Sequence, residues 1–483
     1  MPTRPVLETQ SAEVIVPATL LRSTVQSFDL FDTLVARRCV GPHEIFAEVG
    51  AAHGKRDFVA ARIAAEQRCF AAGIFDLDAI YAMLVHLGYC TVEDAERLRQ
   101  SEINAEFDNA IPIVENLMQV QDFDIIVSDM YLSERILRSL LQHVGLRRPV
   151  HLFVSNDGKA RDRVWAELGC RWLLTRHMGD NPHSDFHLPR SHGIPVSHYT
   201  GATINATERY LADLGWQTTA RLVRELRLRN PYPAGSLENS AWNHFTALNL
   251  PLLILATCIL VDERRSRGLE KILLVGRDCH WLAELAVHLY PGEPIGHIPV
   301  SRQALKNDTP GALACWASSH LAKSLVADLV STGHSWLDFH RRTTVPLNLF
   351  TLLYIDNYQY AAFDPADIFR TDGFTLSFAI TASTTTPQSR GLEVFNTAPH
   401  GTPLGIDVLG GHCAPRYSSH HELPAGFVAA LGHAQAAIIT ALRPVRNQVV
   451  AETSVLEDKP AILRTLVQSI CAPNWVQQLS QAI

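Results

Sequence analysis

The sequence predicts an α/β protein in which a Rossmann-like parallel sheet carries an inserted helical cap and is followed by a second α/β domain. Three observations predict it. From about residue 21 to 205, apolar strand-like runs alternate with helical patterns, the mark of a parallel sheet covered by helices. Four of those runs end at or shortly before a polar residue: Asp29, Ser128, Lys159 and Asp180. A second strand–helix unit follows at Lys271-Ile272-Leu273-Leu274-Val275-Gly276-Arg277-Asp278.

Residues 1–20 read as an N-terminal tail. The first domain, 21–205, has candidate strands at Val25–Phe28, Asp124–Val127, His151–Val154, Trp172–Met178 and Pro195–Tyr199. Ligands of open α/β sheets bind beyond the carboxyl ends of the strands, so the polar strand ends are expected to share one crevice. The cap is expected at about 41–111. There Ile80, Met83, Leu84 and Leu87 follow helical spacing, Gly88 supplies a stop, and Thr91-Val92-Glu93-Asp94 resembles a capping box. Glu102 and Glu106 share a face of the next helix. An insertion here reads as a lid over the crevice, or else as a bundle packed beside the sheet. Residues 206–240 form a helical linker that turns to loop at Asn230-Pro231-Tyr232-Pro233. In the second α/β domain, 241–483, an apolar helix is expected at Trp281–Leu289. Further strands are expected at Ile298–Val300, ending on Ser301-Arg302, and at Leu352–Ile355, ending on Asp356.

Bulk composition narrows the function. A chain of 483 residues suits two or three domains, and 47% hydrophobic residues suffice for sizeable cores. With 42 basic and 49 acidic residues the net charge is −7, against a nucleic-acid partner but compatible with a local basic pocket for a small anion. Nine cysteines without a C-x-x-C pair read as reduced thiols in a cytoplasmic protein. No signal-like apolar run opens the sequence. The most apolar window, Leu248–Val261, is short for a bilayer and contains Asn249 and Pro251, so a buried helix rather than a membrane span is expected.

The chemistry is concentrated in Asp29-Leu30-Phe31-Asp32-Thr33-Leu34, Ile125-Ile126-Val127-Ser128-Asp129, Lys159, and Gly179-Asp180-Asn181-Pro182-His183-Ser184-Asp185. Taken singly, these have ordinary readings: Asp29 and Ser128-Asp129 as helix caps, Gly179–Pro182 as a turn. Together they supply a carboxylate nucleophile, a small hydroxyl, a lysine and an acidic pair. A phosphoryl group repels a carboxylate nucleophile until a lysine and a metal cancel its charge, and magnesium prefers hard oxygen ligands.

In order and strand context these residues resemble the haloacid dehalogenase superfamily over about 21–205. The resemblance implies that Asp29 is the nucleophile and forms an aspartyl phosphate. It implies that Thr33 steadies the loop, that Ser128 holds a phosphoryl oxygen, and that Lys159, or Arg161 in its place, neutralises charge. Asp180 and Asp185 would bind magnesium with Asp29, with Phe31 a further metal-site position. Arg38, Asp129, Tyr131, Asn181, Arg277 and Arg302 are candidates for contact with a small phosphorylated substrate.

Phosphatases of the superfamily carry an acid two residues after the nucleophile. Here that position is Phe31, and Asp32 lies one step later, where it is expected to cap backbone amides. The missing acid leaves open a slow phosphatase, a substrate with a good leaving group, a transferase, or a non-catalytic phosphate-binding scaffold. Branches acting on carbon–halogen or carbon–phosphorus bonds also lack this acid. The closer likeness is to a bacterial branch of predicted hydrolases associated with surface-polysaccharide biosynthesis. Its pattern matches Phe28–Leu34, Ser128–Leu132 and Gly179–Asp185 and extends to Arg277-Asp278 and Ser301-Arg302, with Cys279 where the branch has glycine. Arg277 is expected to hold an anion with Arg302, or else to pair with Asp278. His400, His412, His420 and His421 are irregularly spaced and read as loop histidines.

Overall fold

The computed structural model describes residues 23–74, 76–155, 158–298, 300–307, 311–356, 369–371, 373–383, 387–409, 412–419 and 423–470. The expected tail, His420 and His421 lie outside them. The protein is α/β, with two predominantly parallel sheets. The chain divides into two compact units, one of residues 1–35, 60–99 and 119–200, the other of 36–59, 100–118 and 201–483. The stretch 41–111, which reads as one cap in the sequence, is thus shared between the units.

The strands begin with β1 (Thr24–Asp29), β2 (Val35–Arg37), β3 (Ala110–Pro112), β4 (Ile125–Asp129), β5 (His151–Ser155), β6 (Leu173–Gly179) and β7 (Val196–His198). β2 and β3 form a two-stranded sheet of their own. The sheet of the first unit has the order β5-β4-β1-β6-β7, all parallel. Counted along the chain this is 3-2-1-4-5, an order in which the connections reverse direction between β1 and β6. That reversal opens a crevice at the carboxyl ends of those two strands. Val25, Ile125, Val127 and Leu174 pack with Trp165 and Leu168 of the helix Val164–Arg171 beneath it.

The inserted segment forms the helices His43–Ala52, Phe58–Ala71, Leu77–His86 and Val92–Asn109. Thr91 caps the last, its Oγ1 accepting from the Asp94 amide at 3.1 Å. Leu87, expected on the apolar stripe, is exposed, because the third helix ends at His86 and the chain turns at Gly88 with φ 72°. In the first unit the Leu77 amide donates to the Tyr131 carbonyl at 3.1 Å, and the buried Arg62 guanidinium sits 4.9 Å from the Tyr131 ring centre. The second and third helices are therefore tied to the loop that follows β4.

The second unit contains β8 (Lys271–Val275), β9 (Ile295–Ile298), β10 (Ser324–Ser331), β11 (Leu347–Asp356), β12 (Phe369–Thr371) and β13 (Phe374–Ser383), ordered β12-β13-β11-β10-β8-β9. Only β12 runs antiparallel, at the edge. β14 (Pro403–Leu409) and β15 (His412–Tyr417) form a separate hairpin. β10 and β13 have no counterpart among the sequence-predicted strands; Asp328 interrupts the apolar run of β10.

The apolar window around Leu248–Val261 belongs to a longer helix than expected. An α-helical segment, Leu237–His244, continues through a π-helical turn, Phe245–Asn249, into Leu250–Ser266. A proline inside a helix lacks a donor and crowds the carbonyl four residues back, and a wide π turn just before Pro251 accommodates it. Among the described residues two helices, Leu237–Ser266 and Ala425–Leu442, are long and apolar enough to cross a membrane. Every residue from Leu250 to Val261 is buried within the second unit, so burial rather than shortness makes this a core helix. Leu253→Ala should therefore lower the stability of the second unit by about 2–5 kcal/mol in urea unfolding. An unchanged midpoint would show that this face is not packed.

Candidate functional site

β1 and β6 deliver Asp29 and Asp180 to the two sides of the crevice. Gly179 ends β6, and the chain then coils through a π-helical turn, Pro182–His187. The Asn181 side chain caps that turn, accepting from the His183 amide at 2.9 Å and the Ser184 amide at 3.1 Å. The wide turn brings Asp185 back over Gly179, where an added Cβ would lie 2.4 Å from the Asp185 Cβ and Cγ. Only glycine leaves room for that carboxylate. Oxygens of Asp29, Asp180 and Asp185 lie within 4.8 Å of one another.

Lys159 is buried between two of these groups. Its ammonium donates to Asp29 Oδ1 and lies 2.8 Å from Asp185 Oδ1. Arg161, the alternative, is exposed. Asp129 holds the lysine loop. Its carboxylate accepts from the Lys159 amide at 3.1 Å, the Ala160 amide at 2.9 Å and the Ser155 hydroxyl. Asp129 and Asn181, both expected as substrate contacts, are thus occupied in building the site.

Ser128 is buried beside Asp29, which is in register with Val127 on the adjoining strand, and its hydroxyl has no hydrogen-bond partner among the described residues. Thr33 is fully buried. Asp32 adopts φ 55°, a left-handed conformation that aspartate tolerates, and its amide donates to the Val35 carbonyl at 2.7 Å. Its charge bears on Asp180. Phe31 is half-buried and offers a metal only backbone atoms.

Sequence reasoning missed a buried polar chain behind Asp185. His177 Nε2 lies 3.2 Å from Asp185 Oδ1, and His177 Nδ1 lies 2.9 Å from the Ser27 hydroxyl. Asp185 accepts only, so Nε2 carries the proton and Nδ1 accepts from Ser27. Burial holds the His177 pKa below the usual imidazole value, against the pull of Asp185. Ser27 and His177 are polar residues inside strand runs, which was the only signal the sequence offered for them.

Burial pushes the Asp29 carboxyl up to about 8 against the pull of Lys159, and Asp185 and Asp180 add to the rise. Burial, then Asp32 and Asp185, push Asp180 up to about 6. Burial acts on Asp185 too, but His177 and Lys159 outweigh it and hold that carboxyl down at about 2. Asp29, Asp180 and Asp185 place three carboxylates near the Lys159 ammonium, with Asp32 close enough to act on Asp180. Clustered hard oxygen donors with surplus negative charge fit a magnesium ion.

Arg38 lies in the second unit, paired with Glu225 at 2.6 Å and donating to the Asp108 carbonyl at 2.9 Å. Arg277 and Arg302 also belong to that unit and line one cavity there. The Arg277 guanidinium donates to Thr402 Oγ1 at 3.0 Å. Asp278 and Asp328 share the cavity wall, with carboxylate oxygens within 4.8 Å of each other. Burial, then Glu393, push Asp278 up to about 7; burial, then Asp278, hold Asp328 well above the usual carboxylate range. His400 is half-buried, its ring 4.1 Å from that of Tyr417.

No protein-family model matches the chain, and no curated protein matches it.

Gly179→Ala should displace Asp185 and lower stability by about 1–3 kcal/mol in thermal unfolding. An unchanged melting temperature would mean that Asp185 does not pack over Gly179. In the second unit, Asp278 and Asp328 stay protonated when folded over a range in which the unfolded chain ionises, from about pH 4 upward. The folded state then binds more protons, so stability should fall as pH rises from about 4 toward 7. Asp328→Asn should flatten that slope in unfolding measured across the range.

Proposed function

We propose that the first unit is a magnesium-dependent phosphoryl-transfer site of the haloacid dehalogenase type, hydrolysing a small phosphorylated metabolite or sugar through an aspartyl phosphate on Asp29. In this reading the five-stranded sheet is the core of that fold, the helices between β1 and β4 form its cap, and the enzyme works in the cytoplasm of a bacterium. The observation that carries the reading is the meeting of Asp29, Lys159, Asp180 and Asp185 at the reversal point of a 3-2-1-4-5 sheet. The Ser128 side chain, at the end of β4 next to the strand that carries Asp29, supports it.

Asp29 and Asp185, with Asp180, would hold magnesium, which when bound supplies positive charge to the phosphoryl oxygens. Lys159 neutralises the nucleophile's surroundings, and the Ser128 hydroxyl donates to a phosphoryl oxygen. A free Asp29 carboxylate oxygen bonds to phosphorus as the bond to the leaving oxygen breaks. Water then attacks phosphorus, releases phosphate and restores the carboxylate. The leaving oxygen needs a proton unless its conjugate acid is strong, and Phe31 cannot supply one. That gap favours a substrate with an acidic leaving group. It also favours, as a second reading, transfer to an acceptor other than water.

Asp29→Asn should abolish turnover of phosphorylated sugars, acyl phosphates and aryl phosphates, while Asp32→Asn should chiefly cost stability, roughly the 1 kcal/mol of a lost cap. The wild-type rate should rise as the leaving group becomes more acidic. A flat dependence, with Asp32→Asn slowing the reaction more than about a hundredfold at unchanged stability, would make Asp32 the proton donor. By calorimetry, Asp180→Asn should weaken magnesium binding without unfolding the chain. Equal affinity in both proteins would assign the ion to other residues.

A further inference from the structure

The sheet of the second unit, read without its antiparallel edge strand, has the order β9-β8-β10-β11-β13, or 2-1-3-4-5 along the chain. Its connections reverse direction between β8 and β10, where doubly wound sheets bind ligands at the carboxyl ends of the strands. A cavity of about 430 Å³ lies there, lined by Gly276–Asp278 after β8 and by Asp328 and Val330–Thr332 toward the end of β10. A cavity of this size is ordinary for a small-molecule site. No residue of the proposed phosphoryl-transfer site belongs to it.

Its lining has two chemistries. At one side stands Arg302, exposed and without a hydrogen-bond or ion-pair partner among the described residues. Arg277 shares the lining, as does Ser335 in the first turn of the helix His334–Thr343, which has Gly333 at its N-cap and no side-chain cap. Two guanidinium groups and uncapped amides favour an anionic group, and arginine suits phosphate. The same lining carries Asp278 and Asp328, close enough to interact, with the hydroxyls of Ser301, Ser331 and Thr402 also in it and Arg277 near enough to act on Asp278. Gly276, at φ 93°, lets Asp278 fold against the backbone, since an added Cβ would lie 2.7 Å from Asp278 Oδ1. Burial, with Glu393 of the same lining acting on Asp278 and Asp278 acting on Asp328, keeps this pair from carrying its full charge. A carboxyl pair that retains a proton both donates and accepts, which is what a hydroxyl group needs.

We propose that the second unit holds a separate binding site for a small molecule bearing a phosphate and several hydroxyl groups, of the sugar-phosphate class. Arg302 and Arg277 take the phosphate, and Asp278 and Asp328 take the hydroxyls.

The test is amide hydrogen exchange by mass spectrometry on the full chain with glucose 1-phosphate and glucose 6-phosphate, with glucose, inorganic phosphate and magnesium as separate arms, alongside calorimetry. At least one sugar phosphate should slow exchange at 276–279 and 331–336. Arg302→Ala and Asp328→Asn should each weaken that binding about tenfold or more, and glucose or phosphate alone should bind about tenfold or more weakly than the parent ligand. Arg302 is exposed and Asp328→Asn is isosteric, so both variants should keep the parent's circular dichroism and exchange pattern without ligand. Unchanged exchange at these segments with both sugar phosphates would overturn the proposal. So would protection by magnesium alone, or protection by inorganic phosphate equal to that by the sugar phosphates. Protection confined to 29–34, 128–131 and 180–185 would also overturn it while supporting the first-unit site, so the two readings fail separately.

Discussion

The Lys159 ammonium, buried between the carboxylates of Asp29 and Asp185, is the contact on which the first unit's crevice depends. Buried charges are tolerated only when paired and hydrogen-bonded. Asp129 grips the backbone on which the lysine rides, and His177 and Ser27 brace Asp185 from behind. The strands supply position, and these polar contacts supply aim. The remaining surplus of negative charge makes the crevice receptive to a cation.

The two sheets solve one problem with different strand orders. Each reverses its connections beside the first strand of its own sheet, β1 in one and β8 in the other, and each reversal leaves strand ends that helices do not close. In both, a glycine shortly before an acid lets that acid approach the main chain: Gly179 before Asp185 and Gly276 before Asp278. The electrostatic outcomes differ. The first crevice has a buried lysine among its acids. The second has acids that share their wall with arginines and keep protons.

The strand-end acids, Lys159 and the β1 and β6 elements were legible because each follows an apolar run and sits at a fixed place in the alternation of strand and helix. Less visible were residues whose part depends on what they touch. Asp129 reads like a ligand but anchors a loop, and Asn181 reads like a contact but caps a turn. His177 lies within a strand, where a single imidazole leaves no periodic trace. Asp328 breaks the apolar pattern of β10, so a central strand was hidden by one of its own polar residues. Asn249 and Pro251 read as interruptions of a short apolar segment because spacing does not reveal a π turn that absorbs a proline. The helical insert reads as one block because composition does not change where contacts change partners.

The π turn after Gly179 works as a ruler. An α-helical turn advances by roughly 100° per residue. Deleting or adding a single residue between Gly179 and Asp185 would swing the carboxylate away from the lysine while leaving β6 and the following helix intact. Point substitutions at the exposed positions His183 and His187 leave that count unchanged. Sequence drift here is therefore permitted in identity but not in length, and a chain in which this loop has been shortened or extended has lost the crevice even if every acidic residue remains.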